Sequence, residues 1–352
     1  MEQCDSEVNF EQCRFSRRKF LQTTSAVAAS LALSASLRAG ETIVPGPRKS
    51  KLNRFVADGR PLLVVVEGTD TEKMLAAGLE AIGGLAGIVS AGDSVLLKPN
   101  YGSHRAYPTG SDPHFLVSIA KHCNMAKSGK ITICDSSDGY VLNRYNDHEH
   151  VFKTNNVFEI AKAAGVEVVC THPKDERQYM PVFSQRWQSN PMIMANPFML
   201  NASVVINQPM LKKHNAAGMT CALKNFFGAV HQPQRIYAHR YHRKGGDAGE
   251  QFFAQTVAEF ADCIRPELTI VDARKILTIR GPSLKKDSVV KDVNKIILSG
   301  DMVATDAYCA KILDANDETF QAGSIMPTLK YAEKLRLGTA DLSKVEIVEL
   351  CA

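Results

Sequence analysis

From Pro61 onward the chain alternates short apolar runs with amphipathic stretches. PLLVVV (61–66), SVLLK (94–98), KITIC (130–134), VEVVC (166–170), SVVIN (203–207), LTIV (268–271), NKIILS (294–299) and KVEIVEL (344–350) are rich in β-branched residues and bounded by turn residues, which predicts strands. Helices are predicted after Thr69 or Asp70, at Asp112-Pro113, up to Gly165, from about Glu250 to Ile264, and after Asp301. Strands this apolar are buried on both faces. The expected class is α/β: a mostly parallel sheet with helices on both faces, in a single large domain over 61–352.

The first 60 residues break this rhythm. Arg17-Arg18-Lys19-Phe20-Leu21 followed by the charge-free TTSAVAASLALSASL has the order of a twin-arginine (Tat) export signal, so residues 1–40 are read as a signal peptide. Its apolar stretch, Val27 to Leu37, is 11 residues long, whereas a bilayer span takes about 20, so no permanent membrane span is expected. An amphipathic surface helix with a chance arginine pair is the alternative. The expected location is the periplasm or another extracytoplasmic space, with the Tat translocase as partner. Residues 41–60, with Pro45, Pro47, Arg48, Lys49, Lys51 and Arg54, read as a basic linker. With 45% hydrophobic and 22% charged residues the composition is globular. Beyond the leader, seven cysteines are scattered with no Cys-x-x-Cys pair, which argues against local iron–sulfur or zinc sites.

Ligands of open α/β sheets bind beyond the carboxyl ends of the strands, and polar residues follow five of these runs: Lys98-Pro99-Asn100, Asp135-Ser136-Ser137-Asp138, Asn207-Gln208-Pro209, Asp272 and Asp301. A cap or turn accounts for any one of them. Carboxylates gathered on one edge, however, repel unless a cation compensates. Asp135, Asp272 and Asp301, with Asp306 in the helix after Asp301, are therefore candidate ligands of a hard divalent ion, Mg²⁺ or Mn²⁺.

Between Arg177 and Gly246 there are nine Lys or Arg residues, no Asp or Glu, and four of the ten histidines. A cleft with this balance attracts phosphate, carboxylate or nucleic acid. Tyr179, Trp187, Phe226, Phe227, Tyr237 and Tyr241 interleave with the charges as stacking platforms do. Export and the lack of any known nucleic-acid motif argue against that partner, and a solvated basic face is the plainer reading. In MLKKHNAAGMTCALKNFFG (210–228), Lys212, Lys213 and His214 precede a small-residue loop, and Thr220 is placed to cap a short helix bearing Lys224 and Asn225. The P-loop and dinucleotide fingerprints are absent. DANDETFQAGSI (314–325) lacks the turn glycine and terminal glutamate of a calcium loop.

These strings resemble the bacterial and archaeal family called domain of unknown function 362. They stand here as GDSVLLKPN (92–100), SDPHFLVSIAK (111–121), KITICDSS (130–137), VVINQPMLKKHNAAGMTCALKNFFG (204–228), His239, IRPELTIVDA (264–273) and ILSGDMVATDAYCAKIL (297–313). The resemblance implies an α/β domain, sometimes joined to ferredoxin-type modules and sometimes exported by Tat. The ferredoxin cysteines are missing here, so no iron–sulfur cluster is expected. The pattern also departs after Gly281-Pro282, where Ser283-Leu284-Lys285-Lys286 replaces a small-residue turn. Matching site positions are Lys98, Asn100, Asp135, His214, Lys224, Asn225, His239, Asp272, Asp301 and Asp306.

The expected function is an exported, metal-assisted enzyme acting on a small anionic metabolite. Lys98, Asn100, Lys213, Lys224 and Asn225 hold the substrate, and His214 or His239 serves as general acid or base. A non-catalytic anion- or metal-binding protein, or an accessory of a periplasmic redox system, is the alternative.

Overall fold

A computed structural model describes residues 45–102 and 106–352, and the predicted strands appear in it as parts of one 11-stranded mixed sheet. In chain order the strands are β1 (Val56–Ala57), β2 (Arg60–Glu67), β3 (Val95–Lys98), β4 (Ile131–Asp135), β5 (Glu167–Cys170), β6 (Met180–Val182), β7 (Ile193–Ala195), β8 (Val204–Asn207), β9 (Met210–His214), β10 (Gly218–Thr220), β11 (Leu268–Thr278), β12 (Val289–Ser299) and β13 (Glu346–Cys351). The helices are α1 (Thr71–Ala81), α2 (Pro113–Met125), α3 (Gly139–Tyr145), α4 (His150–Thr154), α5 (Val157–Ala163), α6 (Pro197–Asn201), α7 (Gln232–Lys244), α8 (Gly246–Ile264), α9 (Met302–Asn316) and α10 (Met326–Lys334). The sheet order is β1-β2-β12-β11-β8-β3-β4-β5, with β13 beside β2 and the β9–β10 pair beside β11; β6 and β7 pair separately.

The sheet is mostly parallel: β11, β8, β3, β4 and β5 run together, as do β2 with β13 and β9 with β11. Side-chain alternation splits its apolar residues between two cores. Leu63, Val65, Leu96, Val205, Val271 and Ile297 pack with Val257 and Phe260 of α8, Val303 of α9 and Leu329 of α10. Leu62, Val64, Leu97, Ile206, Ile270 and Leu298 pack with Leu75 of α1, Ile119 of α2 and Ala161 of α5. Helices therefore cover both faces, and each fully buried Val, Leu or Ile stabilises by about 1.5–3 kcal/mol. Asp70, Asp112 and Asp301 accept from the first-turn amides of α1, α2 and α9 and start those helices.

Two expectations are corrected. LTIV and NKIILS belong to an antiparallel hairpin of two 11-residue strands, β11 and β12. Because β12 runs against β11, Asp301 leaves the sheet at the edge opposite Lys98, Asp135 and Asn207. The segment read as a linker is, from Pro45, part of the domain unit Pro45–Ala352. Arg48 is buried in a bidentate pair with Glu267 at 3.0 Å and also donates to the carbonyls of Ala202, Ser203 and Arg265. Basic composition alone cannot reveal such a partner 219 positions away.

The leader reading, residues 1–40, lies outside the described residues. Among the described residues no helix is long and apolar enough to cross a membrane. All seven described cysteines are free thiols, and all but Cys170 and Cys351 are buried.

Arg48→Ala leaves the Glu267 carboxylate buried without a counter-ion. We expect it to lower stability by about 3–5 kcal/mol, read as a shift of the denaturant midpoint. A loss below about 1 kcal/mol, the range of exposed pairs, contradicts the assignment.

Candidate active-site cleft

Parallel pairing brings Lys98 of β3 into register with Asn207 of β8, while β4 beside them ends in Asp135. Above this edge opens a cleft of about 250 Å³. Lys98 Nζ pairs with Asp135 Oδ1 at 2.8 Å and donates to the Pro99 carbonyl at 2.7 Å. The rest of the carboxylate is taken by the amides of Ser136 and Tyr101 at 2.8 and 2.9 Å. Burial lowers the Lys98 pKa, and Asp135 opposes that shift.

The floor of the cleft is an amide relay. Asn225 donates to Asn207 at 2.8 Å, Asn100 donates to Asn225 at 2.7 Å, and Lys212 donates to Asn100 at 2.7 Å and to the Thr109 carbonyl. The Asn225 side chain is set by the 3₁₀ turn Lys224–Ala229, whose entry is held by Asp306: its carboxylate accepts from the amides of Ala222 and Leu223 at 2.7 and 3.2 Å. Thr220, expected to cap a helix here, lies in β10 instead. Gly228 closes the turn directly over the ion pair, where a Cβ would come 2.1 Å from Asp135 Oδ1.

Helix α7 forms a wall. Gln232, Arg235, His239 and Arg243 recur every three or four residues and all line the cleft. Arg235 donates to Ser136 Oγ at 2.9 Å, while its buried Nε has no partner. Lys224 is 7% exposed and makes neither hydrogen bond nor ion pair with any described residue; its Nζ sits 3.1 Å from the centroid of the Phe227 ring. Among the described residues the lining thus carries five cations, Lys98, Lys212, Lys224, Arg235 and Arg243, against two carboxylates, Asp135 and Asp138. Desolvation pulls the Lys212 pKa down to about 7 and that of Lys224 well below its usual value.

His214 and His239 stack with ring centroids 5.8 Å apart. Burial first, then the neighbouring cations, lowers both pKa values, His214 well below the imidazole range and His239 to about 2. Both rings are neutral in the empty cleft. His214 Nδ1 accepts from the amides of Ala216 and Ala217 at 3.1 Å each, so Nε2 carries its proton.

Of the sequence candidates, the cleft gathers Lys98, Asn100, Asp135, His214, Lys224, Asn225 and His239. Strand alternation sends Lys213 the other way, to the Thr319 carbonyl at 2.7 Å, and puts Lys212 in its place. The four aspartates do not meet, which corrects the shared metal site. Asp272 is mid-strand and paired with Arg274 at 2.7 Å, Asp301 caps α9 on the opposite edge, Asp306 holds the 221–223 turn, and Asp135 is paired with Lys98. Among the described residues no three His, Cys, Asp or Glu side chains are placed to hold a metal ion, and these carboxylates do not fit Mg²⁺ or Mn²⁺. Cleft residues that were not among the sequence's site candidates are Lys212, Gln232, Arg235 and Arg243. Helical spacing was the signal for the last three. Of the six aromatics interleaved with the charges, Tyr179, Trp187, Phe226 and Phe227 are buried, so they offer no stacking platform for bases.

The model of a family described as domain of unknown function (DUF362) matches residues 95–311, more than half of the chain and all of the cations named above. The chain belongs to the DUF362 family. Within curated proteins, it is 28% identical over 261 residues to a thylakoid-associated protein, sll1697, of Synechocystis sp., covering 74% of this chain and 73% of that one. Among solved structures it is similar to the lactate racemase apoprotein of Thermoanaerobacterium thermosaccharolyticum, with 12% identity, a TM-score of 0.43 and coverage of 76% of this chain and 61% of that one. A Thermotoga maritima protein gives 7% identity and a TM-score of 0.39, covering 75% and 59% of the two chains. The chain thus spans less than two thirds of either solved structure. The DUF362 landmark ALKNFFG is the segment that places Lys224, Asn225 and Gly228 over the strand edge.

Gly228→Ala forces either the Lys98–Asp135 pair or the 224–229 turn to move, because its Cβ would also lie 2.9 Å from Lys98 Nζ. The expected loss is about 1–3 kcal/mol, measured by thermal or denaturant unfolding. Wild-type stability in this variant would show that the turn is loosely seated.

Proposed function

We propose that the protein is an enzyme acting on a small anionic metabolite, phosphorylated or carboxylated, bound by the cations of the cleft rather than through a metal ion. The observation that carries this reading is the excess of cations lining the cleft, with no hydrogen-bond acceptor among the described residues for the buried Arg235 Nε or for Lys224 Nζ. Unpaired cations out of water cost several kcal/mol each, and an oxyanion supplies the acceptors that both lack. Each charge-assisted hydrogen bond contributes about 1.5–3 kcal/mol. His214 presents Nε2–H as a neutral donor with the His239 ring stacked on it; burial first and then the neighbouring cations depress both pKa values, and a bound anion offsets the second of these causes and so favours proton transfer by the pair. A non-catalytic binding protein would use the same cations but has no role for this histidine pair.

Sulfate is a suitable probe because its charge is constant near neutrality. An anion beside Lys212 favours the ammonium and raises its pKa from about 7, so binding just above pH 7 takes up protons and affinity weakens as pH rises through 7. Calorimetry in buffers of different ionisation enthalpy should register this uptake, and Arg235→Met should weaken sulfate by about 10- to 100-fold. An affinity unaffected by pH and by the substitution defeats the proposal.

The leader supports a second proposal, that the chain is exported through the Tat translocase to the periplasm. Replacing both Arg17 and Arg18 by Lys should retain the protein in the cytoplasm on fractionation; undiminished export would remove this reading.

A further inference from the structure

We infer that Lys224 is a nucleophile toward carbonyl carbon, and that the cleft takes a small aldehyde, ketone or 2-oxo acid carrying a carboxylate or phosphate. The inference rests on the anion-binding reading of the cleft and names the substrate class and the reacting atom.

Three lysines line the cleft floor, and two are occupied. Lys98 is held by Asp135, and Lys212 by Asn100 and Thr109. Lys224 alone among them has no acceptor among the described residues; the rings of Phe227 and Phe253 have centroids 3.1 and 5.7 Å from Nζ, and Asp138 acts on it only through space. A ring face attracts an ammonium but supplies no hydrogen-bond acceptor, so it offsets only part of the cost of burying the charge. The neutral amine is favoured accordingly. Burial first and then the charge of Arg235 depress the Lys224 pKa, which agrees with the geometry. A desolvated amine beside a second cation is how an enzyme keeps a lysine nucleophilic near neutral pH.

The surroundings supply what imine formation requires. The amine lone pair adds to the carbonyl carbon, and the proton leaving nitrogen is taken up by the former carbonyl oxygen. That oxygen departs as water with a second proton, leaving a protonated imine. Overall, the neutral amine, a carbonyl and one proton supplied by the solvent through the histidine pair give an iminium ion and water, with no oxidant or reductant. His239 packs against Phe227 at 5.4 Å between centroids and stacks on His214, so proton carriers stand on the Phe227 side of the amine. Arg235 Nε lacks a partner, and Arg243 lies two turns further along α7; together they can anchor the anionic end while Lys224 stays free to attack. The iminium then withdraws electrons from the adjacent carbon, which suits proton abstraction, decarboxylation or carbon–carbon cleavage there.

The test is reductive trapping on the full chain. The protein is incubated with pyruvate, or separately with dihydroxyacetone phosphate, and sodium cyanoborohydride, then examined by intact mass and peptide mapping. The expected result is a single adduct, with the mass of the carbonyl compound less one oxygen, on the peptide containing Lys224. Excess sulfate should suppress it, and Lys224→Arg, with its unfolding midpoint checked, should lack it. The arm that labels faster identifies the preferred anionic group. No adduct with either compound, or labelling spread over exposed lysines and insensitive to sulfate, overturns the inference. Sulfate affinity measured on the same wild-type sample separates the two failures: sulfate bound without an adduct removes only the nucleophile, whereas neither sulfate nor adduct removes the anion site as well.

Discussion

Lys98 and Asp135 leave the ends of neighbouring parallel strands with 1% and 2% of their side chains exposed, and the cleft is assembled around their contact. Removing two charges from water is costly, and the cost is offset only when every remaining donor and acceptor is satisfied. The chain does this locally. The turn after β3 delivers the Tyr101 amide, the turn after β4 delivers that of Ser136, and Pro99 offers its carbonyl to Lys98. Gly228 is required above the pair because no side chain fits between the 224–229 turn and the carboxylate. The position of Lys224, four residues earlier, follows from that close approach.

The ion pair also decides the charge of the cleft. Asp135 is already engaged by Lys98 and two amides and is buried, so it is not left over to pair with a second lysine; Lys212 feels it only at a distance. Asp306 is spent on the amides of Ala222 and Leu223, and burial raises its pKa to about 6. The two carboxylates nearest the turn therefore hold backbone, and Arg235, Arg243 and Lys224 face the cavity without equivalent opposition. A cavity of this size and sign selects small anions by electrostatics before any finer recognition acts.

Much of the architecture was legible because it depends on local pattern. Runs such as VLLK and VVIN announce strands buried on both faces, and Asp70, Asp112 and Asp301 announce helix starts. What the pattern hides is direction and distance. LTIV and NKIILS have the same composition as the parallel strands, and only the pairing of β11 with β12 reveals that Asp301 emerges on the far edge. Lys212 and Lys213 are indistinguishable until β9 is known to be a strand, after which alternation assigns one to the cleft and the other to Thr319. Arg48 looked like linker because Glu267, which neutralises it, is remote in sequence. Arg235, His239 and Arg243 were readable as one helical stripe, but acid-free charge in that segment equally describes a solvated face.

The arrangement places two demands on Lys224 that pull in opposite directions. As an anion ligand it is best protonated, and a bound oxyanion raises its pKa; as a nucleophile it must give up that proton. Both can be met only if the anion rests on other cations. Arg235 and Arg243 are suited to this, since a guanidinium stays charged under any anion and its planar fork fixes the direction of a carboxylate or phosphate. A ligand anchored there lies against α7, and its uncharged end projects toward the Phe227 ring and the amine above it. The apolar ring under Lys224, which adds nothing to the recognition of a simple anion, then has a physical purpose. It gives the amine an apolar neighbour in place of a hydrogen-bond acceptor, while the neighbouring arginines take the charge of the ligand and leave the lone pair free.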